Sequence, residues 1–74
     1  MATAQEIKEM AINAVQEPGS EEGVYSLDPP VWLVGSSSGR RYIATHVRIG
    51  AAAFDAVCIK GFERWQNPNE FEVV

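Results

Sequence analysis

Residues 31–49 read Val31-Trp32-Leu33-Val34-Gly35-Ser36-Ser37-Ser38-Gly39-Arg40-Arg41-Tyr42-Ile43-Ala44-Thr45-His46-Val47-Arg48-Ile49. Two apolar runs flank a small polar pentapeptide. The second run alternates, with Ile43, Thr45, Val47 and Ile49 on one side and Tyr42, Ala44, His46 and Arg48 on the other. A period of two is what a half-buried strand requires, because successive side chains point to opposite faces. Glycines at both ends of the pentapeptide supply the backbone freedom of a wide hairpin turn. The stretch therefore predicts an antiparallel hairpin pairing residues 31–34 with 41–49. Symmetric closure sets Trp32 across from Tyr42 and Val31 across from Ile43. A one-residue slip would exchange every face.

Upstream, Ile7, Met10, Ala11, Ala14 and Val15 recur at helical spacing, and Thr3 with Glu6 has the capping-box spacing that satisfies two unpaired backbone donors. A helix over residues 4–17, ended by Pro18-Gly19, is predicted, with its apolar stripe as core. Residues 18–30 carry Gly, Ser, two adjacent Glu and Asp28-Pro29-Pro30, so they read as a loop in which Val24 to Leu27 is at most a short edge strand.

Downstream, residues 50–66 admit two readings. Phe54, Val57, Cys58, Gly61, Phe62 and Trp65 follow helical spacing behind Ala51-Ala52-Ala53, which favours a second helix. Val57-Cys58-Ile59 prefers a strand and an interior Gly61 opposes a helix, so a third antiparallel strand over residues 54–60 is the competing reading. Asn67-Pro68-Asn69 is a turn, and Phe71 and Val73 alternate with Glu70 and Glu72 in a short last strand. The expected fold class is α+β in one small domain over residues 1–74: an N-terminal amphipathic helix, a central hairpin, a second helix or third strand, and a C-terminal strand.

With 74 residues, 46% of them hydrophobic, and a net charge of −4, the chain is too apolar and too weakly charged for disorder. A folded monomer of this size buries only about 60% of the surface its unfolded chain exposes, which makes self-association an expected source of stability. There is no run of about 18 apolar residues to cross a membrane and no basic-then-apolar leader. A single Cys58 forms no internal disulfide, so cytoplasmic residence, in a cell or an infected host cell, is expected. One Cys and one His give no zinc cluster, and neither a metal nor a cofactor is expected.

Charge is segregated. Residues 1–28 carry a net −5, residues 29–50 carry +3 from Arg40, Arg41 and Arg48 with no acid, and residues 51–74 carry −2. An acidic total argues against direct nucleic-acid binding, which needs cations to displace the counterions of phosphates. The basic hairpin can still meet a local anionic target. Its candidate partner-binding residues are Trp32, Arg40, Arg41, Tyr42, His46 and Arg48, because large aromatics beside arginine anchor protein interfaces. In the competing arrangement Trp32 and Tyr42 pair beneath a helix while the arginines pair with the chain's own carboxylates.

The turn residues Ser36, Ser37, Ser38, Gly39, Arg40 and Arg41 combine flexible amides, hydroxyls and guanidiniums, the ingredients of a site for an anionic small ligand or nucleotide. They lack the Lys and spacing of a phosphate-binding loop. Cys58, His46 and Asp55 are the types a thiol enzyme needs, yet so short a chain has little material for a water-excluding pocket. Asp55, Glu63, Glu70 and Glu72 read as solvated charges, and no enzymatic activity is expected.

In size, acidic balance, α+β order and lack of catalytic motifs the chain is similar to small phage-encoded inhibitors of bacterial defence systems, anti-CRISPR proteins among them. The order helix, hairpin, helix also resembles some phage head-completion proteins. The first resemblance implies a non-catalytic inhibitor or adaptor that occludes the surface of a larger protein, and it transfers no residue roles.

Overall fold

The structure is a computed structural model and describes residues 1–16, 23–50 and 54–74. Its order is α1 (Ala4–Met10), β1 (Asn13–Gln16), β2 (Val24–Gly35), β3 (Arg41–Arg48), β4 (Ala56–Ile59), a 3-10 turn (Pro68–Glu70) and β5 (Phe71–Val73). The fold is α+β: one short N-terminal helix lies on a five-stranded antiparallel sheet. Along the sheet the order is β1, β2, β3, β4, and β5 pairs with the same strand β2 that holds β1. Strands β1 and β5 thus lie end to end, β1 on Tyr25 to Asp28 and β5 on Leu33 to Gly35.

The helix starts as the sequence predicts and stops earlier. Thr3 accepts from the Glu6 amide at 3.1 Å, and the Glu6 carboxylate accepts from the Thr3 amide at 3.2 Å. At Ala11 the backbone is already extended, and Asn13–Gln16 pair with β2 instead of continuing the helix to residue 17. The helical stripe and the strand alternation agree on Ala11 and Ala14, which face the core in both, and disagree on Val15, which is 60% exposed. Ile12, Asn13 and Val15 are mediocre helix formers, and the ladder to β2 gives their backbone groups partners that a frayed helix end would lack. The predicted Pro18-Gly19 stop lies outside the described residues.

The predicted loop over residues 18–30 is corrected from Val24 onward, because these residues open the longest strand, which runs through to Gly35. The prolines hid it. Between Ser26, which faces His46, and Val31, which faces Ala44, the four residues Leu27 to Pro30 stand against the single Thr45. Proline has no N–H for a ladder and is tolerated where pairing is interrupted in this way.

The preferred second helix over residues 50–66 is also corrected, and the third-strand reading holds over Ala56–Ile59. Val57 and Ile59 are fully buried, Cys58 between them is half-buried, and Phe54 lies in solvent, so the apolar residues follow period two rather than 3.6. Gly61, at φ +92°, turns the chain out of β4 in a conformation that a right-handed helix cannot contain. Ala51-Ala52-Ala53, the expected helix start, lies outside the described residues. The C-terminal strand forms as predicted, led in by Asn67, whose side chain accepts from the Asn69 amide at 3.0 Å.

The main core cluster sits on one side of the sheet, while Val24 and Ala56, also buried, flank Arg48 on the other. Ala4, Ile7 and Ala11 of the helical segment pack on Leu27, Val31, Leu33, Ala44, Val47, Val57, Ile59 and Phe71, and Tyr25 and Tyr42 close its rim. No helix of the described residues is long and apolar enough to cross a membrane.

Candidate interaction face

The hairpin closes with a register one residue away from the symmetric one: Trp32 faces Ile43, Leu33 faces Tyr42 and Val31 faces Ala44. Direct partners in an antiparallel pair share a face, so the shift separates the two aromatics. Tyr42 turns to the helix side, where its ring meets Phe62 and Phe71 edge-to-face at 5.5 Å each. Trp32 turns to the opposite side and is 54% exposed.

A second irregularity then acts in the other direction. Between Ala44, paired with Ile59, and His46, paired with Cys58, β3 gains a residue relative to β4. Such a bulge exchanges the faces of everything beyond it. Val47 therefore faces the core opposite Tyr25, while His46 and Arg48 return to the side of Trp32. The structure thus gathers Trp32, Arg41, His46 and Arg48 on the face opposite the helix, exposed at Trp32 and Arg41 and half-buried at His46 and Arg48. Arg40 stands exposed in the turn beside them, and Tyr42 does not join them.

On that face a cross-strand row runs from Val74 through Trp32 to Ile43, with the Val74 amide donating to the Trp32 carbonyl at 3.3 Å. The next row sets Val34 between Glu72 and Arg41. At the far end Arg48 stacks 5.1 Å from the ring centre of Trp65 and donates from Nε and Nη2 to the Phe54 carbonyl at 3.2 and 3.0 Å. His46 Nδ1 lies 3.0 Å from the Thr45 hydroxyl. Among the described residues neither Arg40 nor Arg41 forms an ion pair, and the Met1 amino group pairs with Glu72 at 3.5 Å. The arrangement with both rings under a helix and the arginines held by carboxylates is therefore not the one adopted by Trp32, Arg40 and Arg41.

Sequence reasoning missed Val34, Ile43, Val74 and Trp65 as members of this face. Ile43 and Val34 follow from the register, which no single residue announces. Trp65 was hidden by a helical spacing that the chain does not use.

The Ser/Gly turn is tightly self-bonded. The Gly35 and Gly39 amides donate to the Arg40 and Gly35 carbonyls at 2.8 and 2.9 Å, the Ser36 amide to the Glu70 carbonyl at 2.9 Å, and the Arg40 amide to the Ser38 hydroxyl at 3.2 Å. The cavity of about 460 Å³ beside Ser36, Ser37 and Ser38 is lined also by Glu70 and by neither Arg40 nor Arg41. This geometry lends the anionic-ligand reading no support, because most of the amide donors are already used and no Arg or Lys lines the cavity.

Cys58 and His46 are cross-strand partners, but Asp55, the third member of the thiol constellation, accepts from the Gly50 amide at 3.2 Å in a separate loop. Asp55, Glu63, Glu70 and Glu72 are all exposed. No group of three or more His, Cys, Asp or Glu among the described residues is placed to hold a metal ion. No protein-family model, curated protein or solved structure matches the chain.

Proposed function

We propose that the protein is a non-catalytic, homo-oligomeric binding module, an inhibitor or adaptor that covers part of a larger protein's surface with the exposed end of the sheet face opposite its helix. The observation that carries this reading is the exposed Trp32 in the row Val74, Trp32, Ile43, on the face opposite the core and next to Arg41. An indole more than half exposed on a sheet face is a large apolar area with few rotamers to freeze, and it gains most when a partner desolvates it. The surrounding charge selects the partner. Arg40, Arg41 and Arg48 make this the basic part of an acidic chain, so the complementary surface is an apolar depression rimmed by Asp and Glu.

The test is affinity capture from the native host with the wild-type chain, followed by titration of the captured protein against Trp32→Ala and Arg41→Glu. Both variants are expected to bind at least about tenfold more weakly while melting close to wild type. A captured protein that binds Trp32→Ala and Arg41→Glu as tightly as wild type overturns the assignment of this face.

A further inference from the structure

The open edges of the sheet are treated unequally. At β4 the Val57 and Gln66 backbones exchange hydrogen bonds at 3.0 and 2.8 Å, so the chain folds back over that edge. At β5 the Ala2 amide donates to the Phe71 carbonyl at 2.8 Å. β1 pairs with β2 on one side, and among the described residues no backbone hydrogen bond reaches it from the other. In an antiparallel ladder alternate residues direct both N–H and C=O away from the neighbour they are paired with, so β1, at the end of the strand order, directs groups outward that have no backbone partner among the described residues. It is a short strand of four residues that carries neither Lys nor Pro. Ile12 is 84% exposed where the strand begins.

We infer that β1 is a self-pairing edge, along which a second copy of this chain adds antiparallel to form a two-fold dimer with a continuous sheet. This supplies the geometry of the self-association in the reading above, and rests on it for nothing else. Charge selects the occupant. The chain carries −4 overall, yet residues 10–16, Met-Ala-Ile-Asn-Ala-Val-Gln, hold no charged side chain, so two copies meet here without opposing like charges. A two-fold axis across β1 pairs the strand with itself, brings Val15 and Ile12 of each copy to the seam, and leaves both Trp32 faces open.

The experiment uses the full chain. Light scattering at about 100 μM should give twice the chain mass of 8.1 kDa, and amide exchange over residues 13–16 should slow as concentration rises. Val15→Lys and Asn13→Lys, both at exposed positions, should each weaken the dimer by about tenfold or more, with circular dichroism confirming that they stay folded. Trp32→Lys should leave the mass doubled, which separates this proposal from the partner-binding reading. A single-chain mass at that concentration overturns the inference, as does exchange at 13–16 that ignores concentration. A doubled mass that both lysine variants leave intact also overturns it, whether another face or a foreign strand is then found to pair.

Discussion

Leu33 and Trp32 are adjacent, similar in hydrophobicity and opposite in consequence. Leu33 is fully buried between the helix and the sheet, so Leu33→Ala should lower the free energy of unfolding by about 2–5 kcal/mol in urea titrations. Trp32→Ala, on the opposite face, should cost clearly less than Leu33→Ala, because more than half of the Trp32 surface stays in water on folding. If Trp32→Ala proves as costly as Leu33→Ala, the faces have been exchanged. Gly61, at φ +92°, supplies a backbone state that L-residues adopt with strain, and Gly61→Ala should destabilise by about 1 kcal/mol in the same assay. The sequence made Leu33 and Trp32 equally apolar. Only the register, set by the turn and the two bulges, assigned one to each side.

Among the elements, the start of α1 was legible and its end was not. A capping box is a local chemical contract between Thr3 and Glu6, readable from two letters, and Thr3→Ala should reduce stability by about 1 kcal/mol by thermal or urea unfolding. The end at Met10 is decided by β2, a strand whose partner segment lies beyond residue 23, and local periodicity carries no information about it. The same holds for β4. Its apolar residues satisfy both periods, and what settles the matter is the free edge of β3, which needs a strand. The hairpin and β5 were legible because their alternation has no helical rival. The candidate face was partly legible for a compensating reason: the shift at Trp32 removed Tyr42, and the bulge after Ala44 restored His46 and Arg48.

For the molecule as a whole, the decisive property is that one helix covers one side of a five-stranded sheet, while on the other side the end around Arg48 is covered and the end around Trp32 is left exposed. Charge divides along the same chain, with the basic hairpin set into a protein of net −4. Complex formation at the exposed end should therefore weaken as salt rises from about 50 to about 500 mM, chiefly through slower association, and stopped-flow mixing would resolve the change. Association rates indifferent to salt would mean that Arg40 and Arg41 do not steer the encounter. The exposed indole of Trp32 has one more consequence, an optical one. In a Trp65→Phe background it is the chain's sole long-wavelength emitter: red-shifted and open to iodide quenching when alone, blue-shifted and shielded once covered. The protein thus carries its own occupancy gauge, and no dye need be attached to read it.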